Sequence, residues 1–157
     1  MSLTTRATQE LSKAKVAFTV HQYAYDPGAD RIGMQAAQAL GEPASRVLKT
    51  LMAEVDAKPV CVIVPSDREV SMKKLAAAVG GKHAAMLKPA DAERLTGYHT
   101  GGISPFAQKR RIPAVFEQAA MAEAQVYINA GQRGLQVKLA PADAVRVLAA
   151  SVAAVVA

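Results

Sequence analysis

Val47-Leu48-Lys49-Thr50-Leu51-Met52-Ala53-Glu54-Val55 and Val60-Cys61-Val62-Ile63-Val64, separated by Asp56-Ala57-Lys58-Pro59, decide the fold. Aliphatic and β-branched residues dominate both runs, and the segment between them is turn-rich. The spacing therefore predicts two strands paired as an antiparallel hairpin, turned over Asp56 to Pro59. Side chains alternate along a strand, so Val47, Lys49, Leu51, Ala53 and Val55 share one face. Cys61 lies in an apolar run between Pro59 and Pro65, where a thiol is a poor nucleophile because its pKa is raised. It is the only cysteine, so no internal disulfide is available, which suits a reducing cytoplasm.

Upstream of the hairpin, Thr4 to Ala14 reads as a helix with Thr4 or Thr5 as its cap. Ala17 to Tyr25 alternates as a strand, with Phe18, Val20, Gln22 and Ala24 on one face and Thr19, His21, Tyr23 and Tyr25 on the other. Asp26 to Asp30 is a turn-rich loop, and Met34 to Leu40 a short helix stopped by Gly41. Downstream, Ser71 caps a helix through Val79 that Gly80-Gly81 ends, and Lys82 to Leu87 reads as a short strand. Pro89 opens a helix closed by Gly97. Ile112 to Phe116 is a strand, Gln125 to Ala130 and Leu135 to Leu139 form a second hairpin, and Pro141 starts a last helix reaching about Ala150. Helices mixed with hairpins give an α+β domain with a mixed, largely antiparallel sheet over residues 1–157.

The chain of 157 residues carries a net charge of +6, which fits a polyanionic partner as well as it fits a solvated basic surface. Met1 to Leu11 lacks the basic-then-apolar order of a signal peptide, and the apolar tail Ala149 to Ala157 is too short to span a bilayer. The expected setting is the cytoplasm, with no membrane contact.

Chemistry concentrates in two places. Lys49 stands on an apolar strand face, where it must snorkel at an edge, pair, or point into a cleft. The loop Thr100-Gly101-Gly102-Ile103-Ser104-Pro105-Phe106 can aim backbone N–H groups at an oxygen, or simply be a tight turn. It does not match a dinucleotide fingerprint, a Walker loop or a nucleophile elbow, where Phe106 stands in place of the last glycine. His21, His83 and His99 have no ligand spacing, so no metal site is expected. Tyr23 and Tyr25 suit either base stacking or the edge of the core. Lys109, Arg110, Arg111 and Arg133 are candidate phosphate contacts or a solvated face.

Val47-Leu48-Lys49-Thr50-Leu51, then Gly101-Gly102-Ile103-Ser104-Pro105-Phe106-Ala107-Gln108-Lys109, then Gly131-Gln132-Arg133-Gly134-Leu135 occur in that order. With His21-Gln22-Tyr23 and Thr96-Gly97-Tyr98 they make the chain resemble, over nearly its whole length, the YbaK/EbsC family of free-standing aminoacyl-tRNA deacylases. That family is similar to the editing domain of many bacterial prolyl-tRNA synthetases. The resemblance implies a barrel-like mixed sheet surrounded by helices. It implies catalytic roles for Lys49, which would hold the tRNA 3′ end, and for Gly101 and Ser104. Tyr23, Thr50, Gly102, Ile103, Pro105 and Phe106 would contact the substrate. One departure is Gln136, where some relatives carry an acidic residue. The implied partner is proline tRNA charged with cysteine, with prolyl-tRNA synthetase as a further candidate, and no cofactor is implied. In the YbaK-type branch the substrate's own thiol attacks its ester. The open alternatives are a sibling enzyme that hydrolyses Ala-tRNA(Pro) with a bound water, a non-catalytic tRNA- or protein-binding module, and a Ser104 hydrolase.

Overall fold

A computed structural model describes residues 3–28 and 32–157; Met1 and Ser2, and Ala29 and Asp30 of the turn-rich loop, lie outside the described residues. The elements run α1 (Arg6–Lys13), β1 (Thr19–Gln22), α2 (Ile32–Leu40), β2 (Leu48–Val55), β3 (Lys58–Pro65), α3 (Met72–Ala78), β4 (Ala84–Met86), α4 (Pro89–Thr96) and β5 (Ala114–Glu117). A 3-10 turn (Gln118–Ala122) is followed by β6 (Val126–Asn129), β7 (Leu135–Leu139), α5 (Pro141–Leu148) and β8 (Ser151–Ala153).

The central hairpin forms with a tighter turn than the sequence suggested. Val55 faces Lys58 in the register, so Asp56 and Ala57 alone make the turn, both at positive φ (49° and 66°). That is the conformation of a two-residue hairpin whose twist matches its strands. The Asp56 carboxylate then accepts from the N–H groups of Lys82 (3.0 Å) and His83 (2.9 Å), tying the turn to the segment that enters β4.

Five strands form one sheet in the order β4-β2-β3-β5-β8 and three form another in the order β1-β7-β6. The β3–β5 and β5–β8 pairs are parallel and the other strand pairs antiparallel, so the class is α+β with mixed, largely antiparallel sheets. The sheets meet where Val47 bridges Tyr127 and the Tyr127 N–H donates to the Arg46 carbonyl at 2.9 Å. Among the described residues the strands fall into these two sheets, joined at that bridge.

Expected caps hold. The Thr5 hydroxyl accepts from the Thr8 N–H at 3.1 Å, and Ser71 caps α3 in the same way. The C-terminus differs from expectation. The last helix stops at Leu148, Ala149 takes φ 50°, and the tail becomes β8 beside β5. No glycine or proline marks that break, and the apolar tail gains more by packing: Val155 and Val156 are buried beside Val62, Val64 and Leu75. The buried Glu117 carboxylate secures them, accepting from the Val155 and Val156 N–H groups at 2.8 and 3.2 Å. The first strand is also shorter than its alternation implied, although the Tyr23 N–H still donates to Gly134.

β2 is sandwiched between two clusters. Leu48 and Met52 pack with Ile63, Phe106 and Phe116 on one side, and Ala53 and Val55 with Val62, Val64 and Leu75 on the other. Along its edges, β3 pairs with all of β2, but β4 reaches only Ala53 to Val55. The edge at Leu48 to Met52 is thereby left open to a cavity.

Candidate active site

That cavity has a volume of about 460 Å³. Because it opens on a strand edge, it is lined by the consecutive run Val47 to Met52 rather than by alternate residues. The register of a two-residue hairpin turns the peptide groups of Thr50 and Met52 away from β3, and the Met52 carbonyl does accept from the Leu87 N–H on that side. Met86, Leu87, Pro89 and Ala92 supply an apolar wall, while Tyr23, Gly101, Ile103, Asn129 and Gln136 close the site from the other elements.

Lys49 is the cation of the site. Its side chain is 19% exposed and its Nζ lies 3.5 Å from Oε1 of Glu69, which is 76% exposed. The lysine therefore points into the cleft instead of out to solvent, and Glu69 sits at the mouth. Burial pushes the Tyr23 phenol up from its ordinary value, against a hydrogen bond from Gln136 that lowers it, so the hydroxyl is protonated at neutral pH. Two buried side-chain oxygens lining the cavity, Thr50 Oγ1 and Gln136 Oε1, have no partner among the described residues.

The glycine loop is held against the second hairpin. Gly101 has φ 89°, and a Cβ there would lie 2.6 Å from Tyr25 Oη and 3.4 Å from Arg133 Nε. At Gly102 a Cβ would lie 2.8 Å from the Arg133 backbone nitrogen. Only glycine permits both contacts. Arg133 donates from Nε to the Thr100 carbonyl at 2.9 Å, with its guanidinium 5.6 Å from the Tyr25 ring centre. Asn129 Nδ2 adds a bond to the Gln132 carbonyl at 3.2 Å.

Of the residues singled out in the sequence, Tyr23, Lys49, Thr50, Gly101 and Ile103 converge on this cavity. Gly102, Ser104, Pro105 and Phe106 are buried behind it. Ser104 Oγ accepts from the Phe106 N–H at 3.2 Å, and Phe106 is a core residue. Lys109, Arg110 and Arg111 are exposed and do not line the cavity, and Arg133 holds the glycine loop. Tyr25 packs on that loop instead of lining the cavity. Glu69, Ser66, Asn129 and the α4 wall were not singled out. The one signal for Glu69 was an acidic residue just past the hairpin end that Lys49 faces.

The remaining groups have separate tasks. Cys61 is buried and its thiol pushed up to about 12 by desolvation, so it is inert. His21 Nε2 lies 2.7 Å from the Thr19 hydroxyl and its ring meets Tyr127 edge-on. No group of three His, Cys, Asp or Glu residues stands close enough to hold a metal ion among the described residues. The cavity thus offers an ammonium, a phenol, orphaned hydrogen-bonding oxygens and apolar walls. It can bind and orient an ester and stabilise negative charge on its oxygen.

A family model for the aminoacyl-tRNA editing domain matches residues 26–147. The chain is 33% identical over 139 residues to EbsC of Enterococcus faecalis, a candidate Cys-tRNA(Pro)/Cys-tRNA(Cys) deacylase, covering 87% of this chain and 84% of that protein. It is 28% identical over 114 residues to the multifunctional Ser/Thr-tRNA deacylase ProXp-y of Escherichia coli, covering 69% of this chain and 66% of that one. A crystal structure presented as a candidate trans-editing enzyme for prolyl tRNA synthetase superposes with a TM-score of 0.81 at 20% identity, over 99% of both chains, which shows the shared fold. The chain belongs to the aminoacyl-tRNA editing domain family, the YbaK/EbsC family that its motifs resemble, and is an aminoacyl-tRNA deacylase.

Proposed function

We propose that this deacylase clears cysteine from proline tRNA, with cysteine tRNA as a second substrate, and that the cysteine thiol is the nucleophile. The observation that carries the reading is Lys49, a cation aimed into an otherwise largely apolar cavity whose only carboxylate among the described residues, Glu69, sits exposed at the mouth. Ser66, the one serine among the described lining residues, donates its hydroxyl to the Val47 carbonyl, so no serine or cysteine paired with an activating base stands among the described lining residues. Chemistry supplied by the substrate fits such a site.

In this reading Lys49 grips the 3′ end of the tRNA, and the loop at Gly101 and Ile103 packs round the acyl group. Tyr23 and Thr50 orient it. The substrate sulfur attacks its own ester carbonyl, closing a C–S bond. The C–O bond to the ribose then breaks and the departing ribose oxygen takes the thiol proton. The products are tRNA with a free 3′ hydroxyl and a cyclic thiolactone, which water opens to cysteine. The protein contributes orientation and charge stabilisation. It works in the cytoplasm, with prolyl-tRNA synthetase as a candidate partner.

A second reading is attack by a bound water on a thiol-free ester. The orphaned Thr50 and Gln136 oxygens favour it, since they could hold a water, and so does the likeness to a relative named for Ser/Thr-tRNA. Deacylation of one tRNA charged in turn with Cys, Ala, Ser and Pro separates the two. Thiol chemistry predicts turnover of the cysteinyl ester far above the others. Equal turnover of the alanyl or seryl ester would replace it with the water mechanism.

A further inference from the structure

We infer that Thr50 and Gln136 together form the subsite for the α-amino group of the esterified amino acid. The inference rests on the reading of this cavity as the deacylation site. Thr50 Oγ1 and Gln136 Oε1 are buried, lack partners among the described residues, and line the same cavity although they come from different sheets. A buried oxygen left without a hydrogen bond is costly, and such groups in folded proteins mark a place where something else binds.

Depth and polarity identify that group. Glu69 is 76% exposed, the Lys49 side chain 19% and Gln136 4%, so the residues run from mouth to floor in that order. The nucleotide therefore stays near Glu69 and Lys49, and the acyl end reaches Gln136. Lys49 is a donor only and takes the phosphate and carbonyl oxygens. Gln136 Oε1 is an acceptor only and takes an N–H or O–H. Gln136 Oε1 is the atom of that side chain left buried without a partner among the described residues. At the acyl end of a cysteinyl, alanyl or seryl ester the N–H donors belong to the α-amine. One N–H to Gln136 and one to Thr50 satisfies both oxygens.

Among the described residues, the charged and titratable groups lining the cavity are Lys49, Glu69 and Tyr23. None places a carboxylate beside Gln136. With a cation already in the cleft, the subsite accepts the amine in its neutral form, whereas an acidic residue at this position would favour the ammonium.

The test compares tRNA charged with cysteine and tRNA charged with 3-mercaptopropionate, which keeps the thiol and lacks the amine. Each rate is divided by that ester's uncatalysed rate. The protein should prefer the cysteinyl ester by about 5- to 150-fold, the cost of leaving a buried acceptor unpaired. Gln136→Leu should cut that preference by slowing only the cysteinyl ester. Thr50→Val, which keeps the side-chain shape, should do the same and carries the test if Gln136→Leu does not fold. Equal slowing of both esters, or an unchanged preference, would overturn the inference. If neither thiol ester is turned over, the cysteine reading itself fails. The alanyl and propionyl pair then supplies the same ratio.

Discussion

Lys49→Met separates a structural lysine from a functional one. Lys49 lies on the face of β2 that continues into Leu51, Ala53 and Val55, and methionine keeps an unbranched stem against that surface. What is lost is the ion pair with Glu69 at 3.5 Å, whose acidic partner is mostly in solvent. Such a pair contributes at most about 1 kcal/mol, which corresponds to a melting shift of about 2–4 °C for a domain of this size. The functional loss is of another order. Removing one donor aimed at a developing oxyanion, in a site shielded from water, costs about 2.7–4 kcal/mol, or 10²- to 10³-fold in rate. Lys49→Met should therefore melt close to wild type and deacylate charged tRNA about 10²- to 10³-fold more slowly. Lys49→Arg should rescue little, because a planar fork does not replace a compact ammonium. A folded Lys49→Met protein within about threefold of wild-type kcat/KM would move the site away from this cavity.

Gly101→Ala should destabilise the loop and slow deacylation by at least about tenfold, since the residue sits at φ 89° and its Cβ would meet Tyr25 Oη at 2.6 Å; thermal melts and single-turnover rates read the two effects. Ser104→Ala removes the acceptor of a buried N–H, so it should cost about 1–3 kcal/mol of stability while kcat/KM stays within about tenfold of wild type. An inactive but folded Ser104→Ala would revive a serine nucleophile. The N–H groups of His83 and Lys82 hold the Asp56 carboxyl below its ordinary value, so its contribution is present above about pH 4 and is lost as pH falls through the depressed pKa. Melts between pH 7 and pH 3 should show a shallower acid decline in Asp56→Asn than in wild type, and parallel curves would refute that role.

The parts of the fold legible in the sequence were those announced by local chemistry. Ser71 and Thr5 cap helices as read, Pro89 sits at the start of α4, and two valine-rich runs make the central hairpin. The tail was not legible, because its strand is specified by a parallel partner and by Glu117, both distant in the chain. The site divides in the same way. Lys49 stood out as a charge on an apolar face, and Gly101 as part of a glycine pair. Alternation alone placed Thr50 on the opposite face from Lys49. It could not show that β4 stops at Ala53 and leaves the edge open, so that both residues line one cavity. Ser104 stood as a candidate nucleophile in a glycine-rich loop, but the loop turns its hydroxyl inward to the Phe106 N–H. Glu69 could not be paired with Lys49 before the path of the chain after β3 was known.

The most direct test of the central claim is the identity of the first product released from Cys-tRNA(Pro). A rapid quench followed by mass spectrometry distinguishes a cyclic thiolactone, free cysteine and an acylated protein. Attack by the substrate thiol predicts that the thiolactone appears first and free cysteine accumulates only as it opens. Free cysteine from the earliest time point, or a cysteinyl adduct on Ser104, would contradict it.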